Sequence, residues 1–120
     1  MTKNEEIIRL LEELNEFEDV LACMLVRKGF EGISPKNIKI KNAALWTAIK
    51  ATVNDLFVFI EKFYEFKLEK LTFELGEYII FIVPLSRNLA LVTIVKAFAN
   101  LGLIDIAIEN TRRHIIELTK

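Results

Sequence analysis

The residues able to do chemistry are few, and their spacing does not gather them. His114 is the only histidine and falls on a helical pattern where a surface position explains it. Asp105 and Glu109 stand four apart, so a helix would bring both carboxylates to one face. Paired carboxylates can share acid and base roles, but such pairs are also common on solvated helices. Cys23 is the single cysteine and lies in the apolar run VLACMLV, whereas a reactive thiol wants exposure and a basic neighbour. Gly29 and Gly32 fit a hairpin and not a phosphate-binding loop. No metal-ligand spacing and no nucleophile motif is present, so neither a cofactor nor a metal is expected, and an enzyme is the weakest class. The elements must therefore position a surface and not a catalytic centre.

Composition agrees with that reading. A chain of 120 residues is one domain's worth, expected to span 1–120. Its 52% hydrophobic and 28% charged residues indicate a packed core. A net charge of -1 offers no global attraction for nucleic acid or an anionic membrane. One cysteine rules out a disulfide framework within the chain and suits a reducing compartment. The start MTKNEEIIRLLEEL is acidic and amphipathic, unlike a secretory signal, so a cytoplasmic location is expected.

The apolar stretch YIIFIVPLSRNLALVTIVKAF, Tyr78 to Phe98, needs a place. Arg87 and Lys96 interrupt it, which excludes a membrane span of about 20 apolar residues. Its two runs around PLSRN are each of strand length, and Pro84 is expected to end the first. Tyr78 to Val83 is apolar at every position, the mark of a strand covered on both faces. Leu71, Phe73 and Leu75 alternate with polar residues and join it through a Gly76-Glu77 turn. The Leu71–Leu75 strand, tied by one hairpin alone, is expected at a sheet edge.

Upstream, Thr2 and Glu5 fit a capping box for a first helix over Lys3 to Phe17. A strand over Asp19 to Val26, a turn at Arg27-Lys28-Gly29 and a short strand over Phe30 to Ser34 follow. PKNIKIK, Pro35 to Lys41, is a basic loop that is either solvated or set to meet an acidic partner or a phosphate. Asn42 caps a second helix running to Tyr64. Leu45, Ile49, Leu56, Ile60 and Phe63 form one apolar stripe, and Trp46, Val53, Phe57 and Tyr64 form another. The combined arc is wider than packing on one sheet requires. A third helix is expected over Asn100 to Leu118.

These elements predict an α+β fold: a five-stranded antiparallel sheet with helices on both faces, in the order α-β-β-α-β-β-β-α. The open edge and the wide helix arc both call for cover. A homodimer supplies it by pairing Lys70, Leu71, Thr72, Phe73 and Glu74 across a two-fold axis and burying Trp46, Val53, Phe57 and Tyr64 between two central helices.

The chain resembles a Roadblock/dynein light chain family domain of the bacterial and archaeal GTPase-partner type, which is profilin-like in fold. The resemblance runs from Leu14 to Leu118 and is carried by LVRKGFEGIS, NAALWTAIKAT, GEYIIFIVPLSRNLALVTIV and NLGLIDIAIENTRRHIIEL in their order and spacing. The Arg27-Lys28-Gly29 turn is basic where many family members carry an acidic residue before the glycine. The resemblance implies a homodimer or heterodimer that shares one sheet and pairs its central helices. It implies no catalysis of its own and a role as a platform for a small Ras-like GTPase. By that analogy the docking face comprises Thr47, Lys50, Ala51, Asn54 and Val58. An adaptor that leaves nucleotide hydrolysis unchanged and a small-ligand sensor are the alternatives.

Overall fold

The computed structural model describes residues 2–120. Side-chain caps begin each helix. Thr2 Oγ1 accepts from Glu5 N, Asn42 Oδ1 from Leu45 N and Asn100 Oδ1 from Leu103 N, at 3.0–3.2 Å. Each satisfies an amide that the first turn leaves free. The elements are α1 (Lys3–Asn15), β1 (Val20–Arg27), α2 (Ala43–Phe63), β2 (Leu71–Leu75), β3 (Tyr78–Ser86), β4 (Leu89–Lys96) and α3 (Leu101–Thr119). A single 3-10 turn, Tyr64–Phe66, follows α2, and Lys67 then reverses the chain with a left-handed φ of 62°.

The strands form one antiparallel sheet in the order β1-β4-β3-β2. Helices cover both faces. On one side α1 and α3 pack over Cys23, Leu25, Phe81, Leu91 and Val95. On the other α2 packs over Met24, Ile80, Ile82, Val92 and Ile94. β3 is buried from Ile79 to Leu85 because it has a strand on either side and a helix layer above and below. β2 is the edge.

Two expectations need correction. Among the described residues the sheet has four strands and not five, so the order is α-β-α-β-β-β-α. The expected strand at Phe30–Ser34 reduces to one bridge, Leu25 with Ile33, closed by bonds of 2.9 and 2.8 Å. Extending that register sets Pro35 opposite Cys23, and Pro35 has no N–H to give. On the other side Gly32 lies against β1 so closely that a Cβ would come within 3.3 Å of the Leu25 carbonyl oxygen. The chain then bulges away and returns at Lys39 and Ile40, whose amides both reach the Leu21 carbonyl. The β1 edge is thus covered by irregular chain.

Pro84 does not end its strand. β3 continues to Ser86, with a register irregularity between those residues. In a two-residue hairpin the residues beside the loop form a hydrogen-bonded pair, here Leu75 and Tyr78. Alternation from that pair turns the Pro84 nitrogen toward the β2 side. β2 has already ended there, since Leu71 pairs with Ile82, so no ladder bond is lost.

Candidate protein-interaction face

Among the described residues, the β2 edge carries no further strand. By the same alternation, the N–H and C=O groups of Thr72 and Glu74 point outward. The side chains of Leu71, Phe73 and Leu75 lie on the α2 side, because Phe73 pairs with Ile80 of that core. Phe73 remains 37% exposed and Leu75 46%. Thr72, Glu74 and Lys70 occupy the opposite face, where Lys70 reaches Asp105 of α3 at 3.6 Å and sits over the Phe81 ring.

α2 meets the sheet through Ile49, Val53, Phe57 and Ile60. This line runs between the two stripes read from the sequence. Val53 and Phe57, expected at an interface between copies, are instead fully buried in their own core. Trp46 is half-buried against that core with Lys50 over its ring, and Tyr64 is half-buried beneath Arg87. The Trp46 flank faces the hairpin tip: Gly29 N donates to Asn54 Oδ1 at 3.2 Å, and Lys28 pairs with Glu61 at 2.7 Å.

The flank toward β2 is a different set. Leu45, Ala48 and Thr52 face Phe73 and Leu75 across an apolar groove of about 200 Å³. Further along, Phe59, Phe63 and Phe66 stack, with ring centroids 4.6 and 6.4 Å apart. Phe66 is 80% exposed. The i,i+4 spacing of Phe59 and Phe63, beside an edge strand with Phe73 and Leu75, was the available signal for this surface. From Ala43 to Phe66 the chain is long and apolar enough to cross a membrane by composition, yet only 22% of an apolar 18-residue window within it is buried. α2 is therefore far more apolar than its cover in one protomer demands.

The five residues expected to dock a partner, Thr47, Lys50, Ala51, Asn54 and Val58, are all exposed. Val58 stands out at 69%. Asn54 is partly engaged, since its Oδ1 holds the hairpin tip.

The remaining chemical candidates are not brought together. Cys23 is fully buried, its thiol held against the Leu11 carbonyl and its pKa pushed up to about 12, chiefly by burial. His114 is exposed. Asp105 and Glu109 do not act together. Asp105 turns to Lys70, while Glu109 takes two bonds from Arg112, which hold its carboxyl below the usual range. Glu109 and Arg112 line a cleft of about 590 Å³ with Tyr64, Lys67 and Pro84. The Arg112 guanidinium is already committed to Glu109. In the basic loop, Lys39 Nζ donates to the Phe17 carbonyl and Asn37 to the Glu12 carbonyl, which tie that loop to the end of α1. Among the described residues no three His, Cys, Asp or Glu side chains are grouped to hold a metal.

Comparison with known proteins places this geometry. The sequence model of the AF0774-like protein family matches residues 3–109. No curated protein matches the chain. Among solved structures, MglB of Myxococcus xanthus is similar at 16% identity, over 99% of this chain and 91% of that one, with a TM-score of 0.75. The gliding protein MglB of Thermus thermophilus is similar at 14% identity, over 98% and 91%, with a TM-score of 0.70. A Roadblock/LC7 domain from Streptomyces avermitilis is similar at 10% identity, over 89% and 92%, with a TM-score of 0.67. Identities this low speak for the fold. The chain belongs to the AF0774-like protein family and is built as a Roadblock/LC7-type domain.

Proposed function

We propose that this protein is a non-enzymatic homodimeric platform that binds and regulates a small Ras-like GTPase. One observation carries the dimer: the open edge of β2 and the uncovered apolar flank of α2 lie side by side. A second copy paired at the edge would cover both. The GTPase part of the reading is supported by the resemblance to Roadblock-type domains, which implies a platform role of this kind. Two α2 helices brought together would present Thr47, Lys50, Ala51, Asn54 and Val58 of each copy as one outer face.

The residues on that face favour one mechanism. α2 contains no arginine, and Lys50 is drawn over Trp46. A supplied arginine would have to come from elsewhere, such as Arg27 at the hairpin tip. Holding the switch loops of the GTPase in one conformation needs no such group. It requires only tighter binding to one nucleotide state than to the other.

The test is to mix the protein with the Ras-like GTPases of its host, loaded with GDP or a GTP analogue, and to measure binding and hydrolysis. Preference for one nucleotide state is expected, with binding lost in Val58→Asp while the dimer persists. Equal binding to both states would make the protein an adaptor. Binding to none would end the GTPase reading.

A further inference from the structure

We infer that the head of α3 is a second docking surface, for a partner that presents a basic amphipathic helix. It belongs to the α1–α3 layer, across the sheet from α2, so it does not depend on the dimer or the GTPase proposed above.

Phe98, in the turn that leads from β4 into α3, is 99% exposed, and Ile106 is 62% exposed. Leu101 and Leu103 between them are exposed as well. At about 1.5 Å of rise per residue, Leu101 and Ile106 stand only about 8 Å apart along the helix. The sheet-facing line of α3 is already filled by Ile104, Ala107, Ile108, Thr111 and Ile115. Asp105 turns from that line to Lys70 on the β2 side. Leu103 is on the opposite flank, toward α1, whose Leu11 carbonyl holds Cys23 of β1, and Ile106 faces outward. Four large apolar side chains gathered over so short a distance exceed scattered surface exposure.

Charge says what kind of partner fits. The Asp19 carbonyl accepts from Lys96 N and the Glu77 carbonyl from Ala97 N, which brings both residues to the Phe98 turn. Glu16 and Glu18 stand just before Asp19, at the end of α1. None of these four carboxylates is in an ion pair among the described residues. Lys96 shares the α2 face of β4 with Ile94 and so points away. Lys39, at the Phe17 carbonyl, offsets one of the four, and the positive end of the α3 dipole adds about half a charge. An apolar centre with an acidic border complements an apolar stripe flanked by Lys or Arg. The backbone selects a helix. The amides of Lys96, Ala97 and Ala99 are spent on Asp19, Glu77 and Lys96 carbonyls, so an extended segment finds no ladder to join. A helix satisfies its own main chain and needs only side-chain contact.

The probe is a synthetic amphipathic helix of leucine and lysine, labelled for fluorescence anisotropy. Beside it stand the same pattern in leucine and glutamate and a scrambled leucine–lysine peptide with no apolar face. Only the first is expected to bind, and more weakly as salt is raised. Phe98→Ser with Ile106→Ser should weaken binding by about tenfold, as loss of buried anchors does. Glu18→Gln with Glu77→Gln should weaken it several-fold with the apolar residues intact. Absence of binding, equal binding of either control peptide, or binding unchanged in either double variant overturns the proposal. Binding to phosphatidylglycerol vesicles also overturns it, by assigning the patch to a membrane surface. A lower mass for Phe98→Ser with Ile106→Ser in light scattering does the same, by assigning it to a second copy. Val58→Asp separates this surface from the GTPase face. It should take the peptide as wild type does, and loss of binding there overturns the proposal by placing the peptide on α2.

Discussion

Thr93 shows how a single side chain weighs on this fold. It sits mid-strand in β4, between Cys23 of β1 and Phe81 of β3, and is fully buried. Its Oγ1 has no hydrogen-bond partner among the described residues. Burying an unpaired hydroxyl costs on the order of 1 kcal/mol or more, and valine has the same shape without that cost. Thr93→Val is expected to raise stability by about 1 kcal/mol in a denaturant titration. Glu109 gives a prediction of opposite sign and visible pH dependence. Arg112 lowers its folded pKa below the unfolded one, so its contribution is full above the unfolded carboxylate pKa and is lost as pH falls through the folded one. The pair is partly exposed, so solvent screens it and the contribution is about 0.5 kcal/mol. Glu109→Gln should melt slightly below wild type at neutral pH, and the gap should close as the pH is taken below the usual carboxylate range.

At the scale of elements, α2 depends on its start. Asn42 Oδ1 takes the Leu45 amide at 3.0 Å, and Asn42→Ala should cost about 1 kcal/mol in thermal or chemical unfolding. That cap was legible in the sequence, as was Leu71–Leu75, because caps and strict alternation are local chemistry. Two other features were decided by chain distant in sequence. The lost strand at Phe30–Ser34 depends on Pro35 standing opposite Cys23, a register that exists only once Leu25 and Ile33 have paired. The facing of α2 depends on the hairpin tip, where Asn54 and Glu61 bind Gly29 and Lys28 and turn Trp46 to that side. A helical wheel gives two apolar stripes and no means of knowing which one lies next to the edge. Thr47, Ala51, Asn54 and Val58 are readable as exposed because they lie away from both stripes, whereas Lys50 borders the second stripe, over Trp46. The Phe59, Phe63 and Phe66 cluster is harder to read, because Phe63 falls on an apolar stripe of the helix while Phe66 lies beyond the helix end.

For the whole molecule, the question is whether the apolar excess of one protomer is a property of the protomer or of an assembly. Phe73 separates the two. It contributes modestly to its own protomer, where over a third of it is exposed, and it would stand at the centre of the joined sheet. Lysine there keeps its stem along the groove and its ammonium in water while the chain is alone. At a two-fold axis the same residue brings two like charges together in a closed, apolar row, which costs far more than in the free chain. Phe73→Lys is therefore expected to shift the mass by light scattering from that of a dimer toward the 13.9 kDa protomer. Its circular dichroism should stay that of the folded chain. A wild type and a variant that are both dimers would place the interface on another surface. A variant that is unfolded as well as dissociated would mean that the protomer needs its partner in order to fold, and a titration of wild-type stability against concentration would then show the same coupling.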